Sequence, residues 1–488
     1  MVSMTDHSLP QDVPNQLFID GRWVDGSRGT FAVENPATGE VLAEVADASV
    51  EDGISALDAA VAAQDSWART PARTRAEILR AAFELARQRS DDLARVMTLE
   101  MGKPLAESQG EVTYGLEYLR WFSEEAARID GNYRPSPEGN FRQLVTKRPV
   151  GPSLLITPWN FPLAMITRKV APALAAGCTV VVRPAGLTPL TALLFLKTIE
   201  DAGVPAGVVN LITSRQHDVT DALLADPRLR KLSFTGSTPV GKALLKQAAD
   251  GVLRTSMELG GNAPFLVFED ADLAAAAEGA QLAKLRNMGE ACTAANRFIV
   301  HESVADEFGR LLADRFSGLS VGDGLEGHDI GALVNADARD GIHELVTEAT
   351  SAGATVLTGG EPGDEPGWFY PPTVLTGVGR DARVVTEEIF GPVAPIVTFA
   401  TEEEAFALAN AASVGLAGYV YTRDLKRALR ASELLQTGMI AINQGVLSNA
   451  AAPFGGIKQS GLGREGAHDG IEEYLETIYV CLPDPFAG

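Results

Sequence analysis

Residues 231–241 read KLSFTGSTPVG, an apolar run that ends in a Gly-Ser-Thr turn and continues into a helix-like segment. Gly236 permits close approach to the backbone, and Ser237 begins a helix whose free N–H groups could bind a phosphate. Gly241 falls in the first turn of that helix. The same turn also begins many ordinary helices, so the segment alone leaves both interpretations open.

Similar apolar runs lie on both sides of this segment and alternate with helix-like stretches. They read SLLIT (153–157), TVVVR (179–183), VVNLI (208–212) and PFLVF (264–268). Runs that are apolar on both faces and separated by helices are typical of a parallel sheet covered by helices. We therefore predict a doubly wound α/β domain whose ligands lie at the carboxyl ends of the strands.

A second series of runs predicts a second α/β domain. These runs read RFIVH (297–301), APIVTF (394–399), GYVYT (418–422) and MIAIN (439–443). Ser303 and Asp306 have the spacing of a capping box at the start of the helix that follows the first run. Residues 73–99 have helical periodicity, and residues 477–482 could form a strand that pairs with another subunit.

Composition excludes several classes of function. Lys and Arg total 41 and Asp and Glu total 64 among 488 residues, a formal charge of −23, which disfavours nucleic acid and anionic membranes as partners. Three separated cysteines exclude a disulfide framework and a zinc ribbon and suit a reducing compartment. The sequence has neither a signal peptide nor a long apolar span, and we therefore expect a cytoplasmic protein. We also expect no resident metal.

Two further segments are more specific than the first. One is Met257-Glu258-Leu259-Gly260-Gly261-Asn262-Ala263-Pro264, and the other is Gly289-Glu290-Ala291-Cys292-Thr293-Ala294-Ala295-Asn296-Arg297. Together with PWNFP (158–162), EIFGP (388–392) and PFGGIK (453–458), they resemble the aldehyde dehydrogenase family in order and spacing. The resemblance covers most of the chain. It implies the family's fold, with a doubly wound parallel-sheet cofactor domain, a second α/β catalytic domain and a small β oligomerisation element.

The resemblance also implies domain limits and catalytic roles. The expected cofactor domain comprises residues 12–128 and 149–258, the catalytic domain residues 259–460, and the oligomerisation element residues 129–148 and 461–488. Cys292 is expected to add to the aldehyde as a thiolate, provided that its surroundings lower its pKa. Asn160 is expected to stabilise the resulting oxyanion, and Glu258 to activate the water that hydrolyses the thioester. Cys178 is predicted to be an ordinary buried cysteine.

The expected cofactor is NADP or NAD, with NADP slightly favoured. In the family, the lysine and the glutamate of a Lys-Pro-x-Glu segment contact the adenosine ribose, but this chain has Arg183 and Gly186 at these two positions. The carboxylate that would repel a 2′-phosphate is therefore absent, and the Arg183 guanidinium could bind that phosphate. Glu388 is expected at the nicotinamide ribose, with Glu387 the competing choice. The full set of expected cofactor contacts is Thr157, Pro158, Trp159, Arg183, Gly186, Gly236, Ser237, Gly241, Leu259, Glu388 and Phe390.

Within the family, the chain is most similar to the enzymes that oxidise succinic semialdehyde. Arg168, Arg286 and Ser448 match the positions that bind the distal carboxylate in that subgroup, with Asn449 a competing choice for the serine. Three alternatives stay open: a dehydrogenase of another aldehyde, such as glutarate semialdehyde or an aromatic aldehyde, a coenzyme A-acylating enzyme, or a catalytically silent binding protein of the same fold. A small aldehyde is the expected partner, in a homodimer or homotetramer.

Overall fold

The structure is a computed structural model that describes residues 5–363 and 366–486. Its strands, in chain order, are β1 (Leu17–Ile19), β2 (Arg22–Val24), β3 (Thr30–Glu34), β4 (Val41–Ala46), β5 (Asn132–Pro135), β6 (Phe141–Pro149), β7 (Ser153–Ile156), β8 (Val180–Arg183), β9 (Val209–Leu211), β10 (Lys231–Thr235), β11 (Arg254–Glu258), β12 (Ala263–Val267), β13 (Ala295–His301), β14 (Thr355–Thr358), β15 (Thr373–Thr376), β16 (Val393–Phe399), β17 (Val414–Gly415), β18 (Ala417–Tyr421), β19 (Met439–Ile442), β20 (Ile457–Lys458), β21 (Gly461–Leu462) and β22 (Leu475–Pro483).

The helices surround these strands. They are α1 (Val50–Arg69), α2 (Ala72–Gln88), α3 (Ser90–Met101), α4 (Leu105–Glu125), α5 (Ala164–Ala176), α6 (Leu190–Asp201), α7 (Asp218–Ala225), α8 (Thr238–Asp250), α9 (Leu273–Leu285), α10 (Ala305–Ser317), α11 (Ala336–Ser351), α12 (Arg383–Thr386), α13 (Glu402–Asn410), α14 (Leu425–Leu434) and α15 (Asp469–Glu472). None of the helices that the structure describes is long and apolar enough to cross a membrane.

The first sheet has the order β2-β1-β9-β8-β7-β10-β11-β21, and β9, β8, β7, β10 and β11 run parallel. The chain moves outward in one direction from β7 through β8 to β9 and in the other from β10 to β11. This reversal opens a crevice at the carboxyl ends of β7 and β10, where doubly wound sheets bind their ligands. The predicted fold class is confirmed.

The second sheet has the order β14-β15-β16-β13-β12-β18-β19, and all of its strands except β14 run parallel. The prediction that residues 264–268 belong to the first sheet is wrong: they lie largely in β12, between β13 and β18. The chain crosses from one sheet to the other at Gly260 and Gly261. A Cβ at Gly261 would lie 2.4 Å from the Cys292 carbonyl oxygen, so the crossing brings β11 close to the cysteine segment.

A third sheet, β22-β6-β5, is antiparallel, and β22 pairs with β6 along its whole length. The terminal strand was thus predicted correctly. Its partner lies within this chain, while the outer edge of β22 and the exposed β5 are available to a second subunit. The short β21 pairs with β11 at the edge of the first sheet, which brings the C-terminal segment beside Glu258.

Two local predictions can be compared with the structure. Residues 73–99 form two helices, α2 and α3, that meet at Arg89. The capping box at Ser303 is wrong, because α10 begins only at Ala305 and the Ser303 hydroxyl lies 2.8 Å from His301 Nδ1 instead. A capping box does occur at Ser49, at the start of α1.

Candidate active site

A long cleft follows the crevice of the first sheet. Its outer part is a cavity of about 710 Å³ beside Thr157, Arg183 and Thr235. Its inner part, of about 260 Å³, contains Glu258 and Cys292. The two parts share five residues, which form one continuous wall: Pro158, Trp159, Thr235, Gly236 and Ser237. The cleft therefore has the elongated shape that an extended ligand needs.

Several polar groups along this cleft lack hydrogen-bond partners among the residues that the structure describes. The hydroxyls of Thr157 and Thr235 and Nε of Arg183 are buried and make no hydrogen bond. Ser237 is the N-cap of α8 but makes no side-chain capping bond, so N–H groups of the first turn remain available. Because buried polar groups are normally paired, these atoms fit a polar ligand that runs along the wall.

Glycines let α8 approach the sheet at this point. A Cβ at Gly241 would lie only 2.3 Å from Leu259 Cδ2, and one at Gly236 would lie 2.5 Å from the Phe234 ring. A larger residue at either position would displace the Leu259 or Phe234 side chain, so the two glycines let Leu259 and the start of α8 pack against the cleft.

The adenosine end of the expected cofactor site contains two arginines. Arg183 donates from Nη2 to the carbonyls of Ser214 (3.2 Å) and Gln216 (2.8 Å), so it holds the turn that contains Arg215. The exposed Arg215 packs against Gly186, its Cδ lying 3.7 Å from where a Cβ would be. Sequence reasoning missed Arg215, because no motif marks it.

Cys292 is half-buried and faces two cavities, the inner cleft and a narrow pocket on its other side. Burial raises the pKa of its thiol to about 12, Glu388 and Glu258 act in the same direction, and the Arg168 guanidinium opposes them. Desolvation therefore outweighs the nearby cations, and the thiol needs a base in order to ionise. Cys178, in contrast, is fully buried, as predicted.

The loop before Cys292 is held in an unusual conformation. Asn287 and Met288 have φ values of 57° and 54°, in the left-handed region, and Gly289 follows at 80°. A Cβ at Gly289 would lie 2.3 Å from the Gly391 carbonyl oxygen. Such strain persists where packing fixes a functional segment, and here it fixes the approach to the thiol.

Asn160 is buried in the inner cleft and rigidly held. Its side-chain Nδ2 donates to the Glu290 backbone carbonyl at 2.9 Å. Its backbone carbonyl accepts from Lys103 Nζ (2.9 Å) and Asn287 Nδ2 (3.0 Å). Since an amide carries two hydrogens, one remains for a ligand in the cavity.

Glu258 ends β11 and is buried in the cleft, where its Oε2 makes no hydrogen bond. Burial and the neighbouring Glu465 carboxylate raise its pKa well above the usual range, while Arg168 and Lys169 oppose the shift. A buried carboxyl with a raised pKa and a free oxygen facing a cavity is suited to accept a proton from water or a thiol.

Glu388 lines the inner cleft, whose walls surround its carboxyl although the residue is open to the cavity, while the competing Glu387 does not line the cleft and is paired with Arg383 at 2.8 Å. Glu388 Oε1 accepts from the Gly261 N–H at 3.0 Å, and burial raises its pKa to about 7. Phe390 has a φ of 51° and its ring lies 5.4 Å from that of Trp159, across the cavity mouth.

The narrow pocket on the far side of Cys292 contains all three expected carboxylate-binding residues, Arg168, Arg286 and Ser448. Arg286 Nη1 lies 3.4 Å from Ser448 Oγ, and its guanidinium stacks on Phe161 and Tyr114 at 5.1 and 5.5 Å. Among the described residues it has no carboxylate within ion-pair distance. Asn449 bonds instead to the backbone of Ala451.

Arg168 differs from Arg286. Its Nε lies 2.7 Å from Glu465 Oε2, and both side chains are buried. Glu465 also receives Lys169 Nζ at 2.6 Å. Sequence reasoning missed Glu465 and Lys169, since nothing in the motifs pairs residues so far apart. The described residues contain no group of three or more His, Cys, Asp or Glu side chains placed to hold a metal ion.

Comparison of the chain with models of protein families supports the interpretation of this cleft as an active site. The model of the "Aldehyde dehydrogenase family" matches residues 23–480. The chain belongs to the aldehyde dehydrogenase family. It is therefore an oxidoreductase, and its two parallel-sheet domains are those of an aldehyde dehydrogenase.

Two relatives and one solved structure illustrate the similarity. A succinate-semialdehyde dehydrogenase from Paenarthrobacter nicotinovorans is 60% identical over 91% of this chain and all of its own. A glutarate-semialdehyde dehydrogenase from Pseudomonas aeruginosa is 47% identical over 96% of this chain and 97% of its own. The crystal structure of an E. coli NADP-dependent enzyme superposes with a TM-score of 0.95 at 47% identity, over 96% of this chain and 98% of that one.

Proposed function

We propose that this aldehyde dehydrogenase oxidises succinic semialdehyde to succinate with NADP or NAD. The observation that carries the proposal is the narrow pocket on the far side of Cys292 from the cleft, which contains Ser448 and an Arg286 with no carboxylate partner in the described part of the chain. An aldehyde carbon at the sulfur would leave the other end of a short chain at this cation. The protein carries a net charge of −23, so an anionic substrate needs such a local cation.

In the proposed mechanism the Cys292 thiol first loses its proton to Glu258, which faces the same cavity and holds a free oxygen. The thiolate then adds to the aldehyde carbon, forming a C–S bond and an oxyanion. The second hydrogen of Asn160 Nδ2 and the Cys292 backbone N–H are the donors to that oxygen. A nicotinamide dinucleotide held in the cleft would supply the hydride acceptor that oxidation of the adduct to a thioester needs.

Hydrolysis completes the proposed cycle. Glu258 first returns the thiol's proton to solvent and then takes one proton from the attacking water. The water oxygen adds to the thioester carbon, the C–S bond breaks to release the Cys292 thiolate, and the remaining water proton passes to that thiolate, so that the acid leaves as a carboxylate and the thiol is regenerated. An acylating enzyme that transfers the acyl group to coenzyme A has no need for this base. The buried Glu258 therefore favours hydrolysis of the thioester over transfer of the acyl group to coenzyme A. Because Glu258, Cys292 and Asn160 line one cavity, we favour an active enzyme over a catalytically silent protein of the same fold.

The residues of the cleft fit a nicotinamide dinucleotide. We propose that the unpartnered Thr157 and Thr235 hydroxyls and the first turn of α8 bind its phosphates. Glu388 would hold the nicotinamide ribose through the carboxylate oxygen that Gly261 leaves free. At the other end, Arg215 beside Gly186 adds a cation for a 2′-phosphate, with Arg183 holding the turn. These arginines, and the NADP dependence stated for the E. coli structure, favour NADP.

Glutarate semialdehyde is the second candidate, since a carboxylate one methylene further out would meet the same Arg286. Tyr114, Phe161 and Phe454 line the pocket around that side chain, and the higher identity to the succinate-semialdehyde dehydrogenase (60%) than to the glutarate-semialdehyde dehydrogenase (47%) favours the shorter chain. We also propose that the enzyme works in the cytoplasm, as a homo-oligomer built on the β22-β6-β5 sheet.

A matrix of initial rates tests the proposal. It compares succinic semialdehyde, glutaric semialdehyde, acetaldehyde and benzaldehyde, each with NAD and with NADP. The expected result is the highest kcat/KM for succinic semialdehyde with NADP. Equal kcat/KM for acetaldehyde and succinic semialdehyde would disprove the carboxylate-binding role of the pocket, and higher kcat/KM for glutaric semialdehyde would reassign the substrate.

A further inference from the structure

Two tyrosines of α4 lie beside the narrow pocket next to Cys292. Tyr114 lines the pocket and is half-buried, whereas Tyr118 does not line it and is fully buried. Residues four apart on a helix lie on the same face, and the two hydroxyl oxygens are 2.6 Å apart, which is a hydrogen-bond distance. One oxygen therefore donates and the other accepts, and the direction of this bond determines what Tyr114 offers to a ligand in the pocket.

The burial of Tyr118 determines the direction of the bond. Its hydroxyl hydrogen needs an acceptor inside the protein, and among the residues that the structure describes its one hydrogen-bond partner is Tyr114 Oη. If Tyr114 were the donor, the Tyr118 hydrogen would be buried without an acceptor, which is costly, whereas the Tyr114 hydrogen can turn into the pocket. Tyr118 is therefore the donor and Tyr114 the acceptor.

Tyr114 also contacts both arginines of the pocket. Its hydroxyl oxygen accepts from Arg168 Nη1 at 3.4 Å, and its ring lies 5.5 Å from the Arg286 guanidinium. A hydroxyl oxygen can accept two hydrogen bonds and donate one. The bonds from Tyr118 and Arg168 fill both acceptor sites, so the remaining capacity of this hydroxyl is its own hydrogen, at the wall of the pocket.

Ser448 has a similar arrangement at the other arginine. Its Oγ accepts from Arg286 Nη1 at 3.4 Å and has no further hydrogen-bond partner in the described part of the chain, so its hydrogen is also available. The pocket thus combines the guanidinium groups of Arg168 and Arg286 with the hydroxyl hydrogens of Tyr114 and Ser448. An ionised carboxylate only accepts hydrogen bonds and has about four lone-pair sites, so it suits a pocket whose polar groups are all donors.

We propose that Tyr114 is a specificity-determining residue, which donates its hydroxyl hydrogen to the carboxylate of the substrate between the two arginines. This inference rests on the proposed function of the pocket as the carboxylate site. An aldehyde that ends in an alkyl group would leave the Tyr114 hydrogen without an acceptor once it fills the pocket. A site with such a donor discriminates strongly against substrates that lack the matching acceptor.

The experiment compares kcat and KM for succinic semialdehyde and for butanal, which has the same number of carbons and no carboxylate. Tyr114→Phe removes the hydroxyl and keeps the ring beside Arg286. The ratio of kcat/KM for succinic semialdehyde to that for butanal should fall by roughly 10-fold or more, because a donor to a charged group is lost. The loss should appear in KM, since the carboxylate is bound alike before and during the reaction. Tyr118→Phe, the matched control outside the pocket, should change the ratio by less than about threefold.

A double variant, Tyr114→Phe with Tyr118→Phe, removes both hydroxyls, so that no hydrogen is left buried without its acceptor. It should lose as much selectivity as Tyr114→Phe, and it decides the question if the single variant fails to fold. An unchanged ratio in the variants without the Tyr114 hydroxyl, together with a lowered ratio in Arg286→Gln, refutes the inference alone. An equal loss in Tyr114→Phe and Tyr118→Phe also refutes it, because the pair would then act through packing. An unchanged ratio in Arg286→Gln refutes the proposed function of the pocket and the inference with it.

Discussion

Replacing Arg286 with glutamine should remove most of the preference for an aldehyde that carries a carboxylate. Arg286 has no carboxylate partner among the described residues and contacts Ser448 only at 3.4 Å, so its charge is free for a ligand. A hydrogen bond to a charged group contributes about 1.5 to 3 kcal/mol. At about 1.4 kcal/mol per factor of ten, the ratio of kcat/KM for succinic semialdehyde to that for acetaldehyde should fall by roughly 10- to 150-fold.

The assay is the initial rate of cofactor reduction with each aldehyde over a range of concentrations. The loss should be in kcat/KM for succinic semialdehyde, with acetaldehyde changed by less than about threefold, since glutamine still fills the side of the pocket against Phe161. Arg120→Gln, a half-exposed arginine on α4, is the matched control and should change neither rate. An unchanged ratio in Arg286→Gln would refute the assignment of this pocket to the carboxylate.

Three further predictions follow from the site. Asn160→Ala should lower kcat by about 10²- to 10³-fold, as loss of an oxyanion donor does, and stopped-flow measurement should assign the loss to thioester formation; a loss confined to KM would contradict it. The pKa of Glu388 is raised to about 7 by burial, so the carboxylate forms as pH rises through this value. The affinity for the cofactor, measured by fluorescence titration, should increase over the same pH range, and Glu388→Gln should abolish this dependence of affinity on pH. Arg215→Ala should raise KM for NADP by about 10-fold or more and leave KM for NAD within about twofold; equal changes would exclude a 2′-phosphate contact.

The strands could be predicted where both of their faces are apolar. β7, β8 and β10 lie at the predicted positions to within a residue, because burial on both faces demands continuous apolar side chains. β11 was missed, since its sequence RTSME contains a single apolar residue, Met257. Ser256 in this strand bonds to Glu473, and Glu258 faces the cavity, so the strand carries polar groups for which the interior provides partners.

Charges at the site could not be predicted from motifs. The local sequence predicts that Arg168 lies at the site. Its ion pair with Glu465 could not be predicted, because Glu465 lies 296 residues after the neighbouring Lys169 and only the folded chain brings them together. Likewise, the pKa of Cys292 reflects a balance between desolvation and charges from several elements. Residue type and spacing fix the chemistry that a site can perform, whereas the protonation state depends on the packing around it.

The most direct test of the account is the identity of the atom that carries the acyl group. Acid quenching of the wild-type enzyme during turnover with succinic semialdehyde and NADP, followed by proteolysis and mass spectrometry, should find a succinyl thioester on Cys292. Cys178 and Cys481 should carry none. An unmodified Cys292 in the wild-type enzyme quenched during turnover, or full activity in Cys292→Ala, would contradict covalent catalysis at this sulfur.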